Sequence, residues 1–200
     1  MKELSKYKLN KISRNLDFLF NLANNDEIND GLNWYKDANK EALKIANKYN
    51  LDVYEVSQVI SALSPRNKWA QNLKDADNVC SAFVTGIKPT EIKVCTFHTN
   101  KFKAFAILEN KVSISKNSLK TYNFVNNIAF LSPGHLTVDI WHLRGCFLND
   151  IKIGSASIGK IAYEQIKQLT LKKAQNLGFK GFEFQAILWI VTQKYFIAQR

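Results

Sequence analysis

The apolar positions of this chain recur at intervals of three and four almost from end to end, the spacing that places side chains on one face of a helix. Between Leu4 and Ala23, the residues Leu9, Ile12, Leu16, Leu19 and Phe20 keep that spacing and predict a first helix. A second is predicted from Ile28 to Tyr49. A third opens at Asp52, an N-cap residue followed by Glu55 in the manner of a capping box. It ends where Ser64 meets Pro65, because the residue before a proline avoids the helical region. Trp69, Leu73, Ala76 and Val79 carry a fourth helix, which stops at Gly86.

The second half of the chain continues the pattern. HTNKFKAFAILENK, from His98, reads as a short helix; VSISKNS is a polar loop; Tyr122, Phe124, Val125 and Ile128 then mark another helix. SPGH, Ser132 to His135, is a breaker. A short helix headed by Asp139 follows, then one within GSASIGKIAYEQIKQLTLKKAQNLG capped at Gly178, and a strongly apolar last helix, GFEFQAILWIVTQKYF. Pro65, Pro89 and Pro133 all stand at boundaries. No run alternates as a strand would, so the expected class is all-α, with about eight to ten helices. No repeat, low-complexity tract or linker divides residues 1–200, which predicts a single compact unit.

Charge adds a candidate partner. Lys and Arg number 28 against 17 Asp and Glu, a formal charge of +11, and a chain this basic attracts polyanions and releases their counterions. Abundant Lys, Asn and Ile also follow from AT-rich coding DNA, so charge alone does not decide. No apolar stretch approaches a membrane span, and the N-terminus lacks the pattern of a signal peptide. Three cysteines without framework spacing fit a reducing compartment, and the expected location is cytoplasmic, beside DNA. Cys95 and His98, with His142 and Cys146, have the arithmetic of a zinc site but not the turn sequences that hold one, so no metal is assigned. Trp69, Trp141 and Trp189 are assigned to the core. Trp34 and the adjacent Tyr35 cannot share a helix face, so one of them is expected at a surface, where it could stack on a base.

The stretch LTVDIWHLRG places a carboxylate, Asp139, directly after three residues expected to be buried, where its charge is costly. It is either a helix N-cap or a catalytic carboxylate, and one residue can be both. Nineteen positions earlier, Lys120 stands at the start of the preceding helix. The SPGH return is expected to bring the two helix starts together, where their positive ends favour phosphate.

These residues give the chain a resemblance to the helix-hairpin-helix base-excision DNA glycosylases. LKTYNFVNNIAFLSPGHLTVDIWHLRG is similar to the segment of that superfamily in which a Lys begins a helix and a Val-Asp pair, then His and Arg, follows. ISALSPRNKWAQNL resembles its early LLS-x-Q segment, HTNKFKAFAIL its N-S-K-A helix start, and FQAILWIVTQK its closing helix, all in order from about Leu51 onward. The resemblance implies a two-lobed all-α fold, with a central lobe near 50–134 and a second lobe from 1–49 and 135–200. It implies a monomer acting on double-stranded DNA without a cofactor, since the four-cysteine iron–sulfur pattern of some members is absent.

Carried over by position, Asp139 is the essential carboxylate, stabilising positive charge on the deoxyribose as the base leaves or activating the nucleophile. Lys120 matches the lysine that forms a Schiff base with the sugar in members that are also lyases. Arg66 falls where a side chain enters the duplex as the target base flips out. Lys68, Asn100, Lys101, His142 and Arg144 lie in the matching segments and are expected at DNA. The glycine-rich hairpin of the family is replaced here by SISKNSL. Either Lys116, Asn117 and Ser118 bind phosphate through side chains, or DNA is held differently or not at all. A non-catalytic DNA-binding protein, and an enzyme acting on a modified nucleotide, are the alternatives.

Overall fold

The computed structural model describes residues 3–148 and 158–198, and every regular element among them is helical. The helices are α1 (Lys6–Asn21), α2 (Asn25–Tyr49), α3 (Val53–Leu63), α4 (Trp69–Val84), α5 (His98–Leu108), α6 (Leu119–Phe130), α7 (Ile140–Phe147), α8 (Lys160–Asn176) and α9 (Gly181–Ala198). A 3-10 turn, Pro89–Glu91, lies between α4 and α5 and is not expected from the pattern. The part of the α8 segment from Gly154 to Ser157 lies outside the described residues.

Local chemistry explains where the helices start and stop. Asn24 and Glu27 form a reciprocal capping box: Glu27 N–H donates to Asn24 Oδ1 at 2.9 Å, and Asn24 N–H donates to Glu27 Oε2 at 2.9 Å. That box starts α2 three residues before Ile28, where the apolar pattern places it. Asp52 caps α3, accepting the backbone N–H groups of Tyr54 and Glu55. Five described helices end on a left-handed residue, Asn50, Gly86, Asn110, Leu131 and Gly178, and after Asn50, Gly86, Asn110 and Gly178 the next N–H reaches back to close the last turn. At SPGH, His135 N–H donates to the Ser132 carbonyl, and the Ser132 hydroxyl lies 2.8 Å from His135 Nδ1, which shuts the turn in both backbone and side chain.

The chain divides into two compact units, Met1–Lys36 with Ser132–Arg200, and Asp37–Leu131, so that α2 contributes to both. In the first unit α9 is central: every residue from Gly181 to Leu188 is buried, and it packs with α1, α7 and α8. A helix apolar all round belongs inside. Gly31 of α2 approaches α9 so closely that a Cβ there would stand 2.7 Å from Ile187 Cα. Gly145 of α7 plays a similar part, where a Cβ would stand 2.9 Å from both Leu19 and Thr192 side chains.

In the second unit α3 is central, buried from Val56 to Leu63 and packed by α4, α5 and α6. Its polar residues are satisfied within the core. Gln58 Oε1 accepts the Ile114 N–H at 2.7 Å, and the Ser61 hydroxyl donates to the Thr121 carbonyl at 3.2 Å. Asn72 of α4 donates to the Ile60 carbonyl at 3.0 Å. These bonds fix α3 against α4, α6 and the segment before α6 in one register, because a slipped register would strand buried polar groups.

Candidate functional site

Leu136, Thr137 and Val138 are buried and belong to no helix, and the backbone there finds its partner in a tyrosine. The Tyr163 hydroxyl, presented by α8, accepts the Val138 N–H at 3.1 Å and donates to the Leu136 carbonyl at 3.2 Å. One buried phenol therefore does for three residues what a neighbouring strand would do. Asp139 follows, half-buried and extended (φ −97°, ψ −175°), as the N-cap of α7. Its Oδ1 accepts the His142 N–H at 2.8 Å. A carboxylate is the group that the positive end of a helix favours.

Thr137 and Asp139 are both close to one side chain, Tyr35 of α2. Burial pushes its phenol well above the usual tyrosine range, a hydrogen bond with Thr137 works the other way, and the charge of Asp139 adds to the upward shift. The Tyr35 hydroxyl donates to Gln185 Oε1 of α9 at 3.1 Å. In this unit the carboxylate thus sits beside a dry, hydrogen-bonded set of neutral groups from α2 and α9, which restricts its position more than a surface loop would.

His142 is placed differently from expectation. It is 1% exposed and faces α8, with Nε2 3.1 Å from the Thr170 hydroxyl. Thr170 spends its own proton on the Ile166 carbonyl at 2.9 Å, so the histidine donates from Nε2 and Nδ1 carries the lone pair. That Nδ1 has no hydrogen-bond partner among the described residues, and burial lowers the imidazole pKa to about 4. His142 is a neutral core residue and does not reach DNA. Arg144, half-buried, lies over Trp141 at 4.1 Å from the ring centroid.

The other candidates belong to the second unit. Lys120 is exposed in the first turn of α6, and Lys116, Asn117 and Ser118 are exposed in the turn before it. Ser115 organises that turn: its carbonyl accepts the Ser118 N–H at 2.9 Å and its hydroxyl the Asn117 N–H at 3.1 Å. None of Ser115, Lys116, Asn117 and Ser118 has a positive φ, which is why this hairpin needs no glycine. Lys101 is a second correction. It is 3% exposed, on the inner face of α5, and its Nζ donates to the Ile92 carbonyl at 2.7 Å, so it holds the preceding loop and is not available to a phosphate. Asn100 is half-buried and donates to the Thr96 hydroxyl at 3.0 Å.

Arg66 and Lys68 are exposed between α3 and α4. The structure adds a residue beside them: Phe97, 49% exposed just before α5, with its ring centroid 5.4 Å from the Arg66 guanidinium carbon. Of the tryptophan and tyrosine candidates, Tyr35 is buried and Trp34 half-buried against Tyr35 and Trp189, so neither is an exposed platform. Trp69, Trp141 and Trp189 are half-buried, not enclosed.

Among the described residues, no three His, Cys, Asp or Glu side chains are grouped as a metal ion requires, and no helix is long and apolar enough to cross a membrane. Cys80 and Cys146 are buried and Cys95 is exposed, all as free thiols. Residues 1–196 match a family of unknown function, DUF7178, and the chain belongs to that family. No curated protein and no solved structure matches it.

Proposed function

We propose that this chain is a DNA N-glycosylase of the helix-hairpin-helix type, with Asp139 as its essential carboxylate. The observation that carries the reading is the setting of Asp139: a half-buried acid at a helix N-terminus, preceded by a buried segment whose backbone the Tyr163 hydroxyl holds at Leu136 and at Val138. A group meant only to cap a helix does not need its approach held so firmly. The succession α5, glycine-free turn, α6 also supports it, since Lys120 then begins the helix that follows a hairpin.

In the proposed reaction the C1′–N bond breaks and its electron pair leaves with the base. Asp139 stabilises the cationic sugar, or takes a proton from the water that adds to C1′. Lys120 offers a second route, in which its amine displaces the base and the resulting adduct opens to a Schiff base. Arg66 and Phe97 supply a cation and an aromatic face to a duplex whose base has been turned out, and Lys68, Lys116, Asn117 and Ser118 supply phosphate contacts. The experiment is abasic-site formation on a panel of duplexes, each carrying one damaged or modified base, with Asp139→Asn beside the unmodified chain.

A further inference from the structure

Asp75 lies in α4 and is 1% exposed, yet its carboxylate meets amides and a backbone N–H. Oδ2 accepts from Asn67 Nδ2 at 2.8 Å and from the Cys95 N–H at 2.8 Å, and Oδ1 accepts from Gln71 Nε2 at 2.9 Å. A buried carboxylate is retained only where several donors replace its hydration. Two of these donors come from different loops, and each stands next to, or two residues from, an exposed side chain of interest. Asn67 follows Arg66, and Cys95 precedes Phe97 by two.

A second tie joins the same loops. The Thr96 hydroxyl donates to the Pro65 carbonyl at 2.9 Å, while Asn100 donates to that hydroxyl at 3.0 Å. Arg66 itself is held at φ +57°, a conformation that favours glycine and that a free loop would leave. The two ties surround it on both sides, at Pro65 and Asn67. Their joint effect is to keep an arginine and an aromatic ring in contact at the surface, where each ring or guanidinium plane can stack on a base without reading sequence.

We infer that Asp75 is a positioning residue that presents Arg66 and Phe97 to duplex DNA as one fixed pair; this rests on the DNA reading proposed above. Both loop donors meet the same oxygen, Oδ2, which an asparagine could still supply, so the variant that removes the brace is Asp75→Ala, which leaves no acceptor for either loop. Asn67→Ala combined with Thr96→Val removes the Asn67–Asp75 and Thr96–Pro65 ties on either side of Arg66 while leaving the buried carboxylate in place, and serves, by the fluorescence readout, if Asp75→Ala does not fold.

The test has two readouts on the full chain. Amide hydrogen exchange without DNA reports the brace: at Cys95 it should quicken by about tenfold or more in Asp75→Ala. The second uses duplexes carrying 2-aminopurine next to an abasic site or mismatch, whose fluorescence rises on unstacking, together with affinity measured at several salt concentrations. Asp75→Ala should lose the fluorescence rise as Arg66→Ala and Phe97→Ala do, with affinity changed less than about twofold because phosphate contacts remain. Unchanged exchange at Cys95 overturns the brace, whatever DNA does. Faster exchange with the full fluorescence rise overturns the positioning role and leaves the DNA reading standing. No rise with the unmodified chain, or a rise that survives Phe97→Ala and Arg66→Ala, overturns use of the pair and this inference with it.

Discussion

Asp139 Oδ1 accepts the His142 N–H at 2.8 Å, so the residue that heads the candidate site is also the residue that starts α7. The two roles can be separated by substitution. Asn is as good an N-cap as Asp, whereas Ala cannot cap, so Asp139→Ala should lose about 1 kcal/mol of stability and Asp139→Asn only a few tenths. Urea denaturation of the three proteins checks this. Equal loss in both variants would mean that the charge, not the cap, holds α7.

His142 gives the fold a pH dependence of fixed sign. Its pKa is lowered by burial to about 4, below the value near 6.5 of an exposed imidazole. The unfolded chain therefore binds a proton that the folded one refuses, and stability rises with pH across this window. The contribution is fully present above pH 6.5 and is lost as pH falls towards 4, on the order of 3 kcal/mol at most. Denaturation at a series of pH values should show that slope, and His142→Gln, which can still donate to Thr170, should flatten it.

Gly31→Ala should destabilise the protein although alanine is the better helix former. Propensity favours the change by about 1 kcal/mol, but the added Cβ would meet Ile187 backbone atoms at 2.7 Å, and overpacking costs about 1–3 kcal/mol. A lower melting temperature is the expected result. Ile187→Ala should restore only part of it, since the backbone of α9 remains in the way.

Lys120 decides whether the proposed enzyme is also a lyase. With a duplex that the chain cleaves, borohydride should trap a covalent adduct, and Lys120→Ala should abolish the adduct. Base release without any adduct assigns the reaction to Asp139 and water alone.

The all-helical class was legible because the spacing of apolar residues is a property of sequence, and the nine α-helices among the described residues fall where it repeats. Ends were less legible, since capping contacts set them: the Asn24–Glu27 box precedes the apolar stripe of α2, and Asn50 and Asn110 close helices where no glycine announces it. The site was read by motif, which says nothing of facing. Lys101 matched by position but lies at the buried interval with Ala104, Phe105 and Leu108, a spacing that was available to warn of it. His142 likewise shares the inner side of α7 with Leu143 and Cys146. Phe97 escaped because it stands outside any helix, so no periodicity marks it; its one signal is an aromatic residue between polar ones at a helix start. Asp75 had a signal too, as a carboxylate among Asn72, Ala76 and Val79 on the inner stripe of α4.

The most direct measurement is base release under single-turnover conditions, scored as abasic sites in duplexes that each carry one damaged or modified base. The unmodified chain should release the base from at least one of them, and Asp139→Asn should release none while binding that duplex with the same affinity and salt dependence. Base release that survives in Asp139→Asn would contradict the role given to this carboxylate. Salt-dependent binding with no release from any duplex would contradict the glycosylase reading itself.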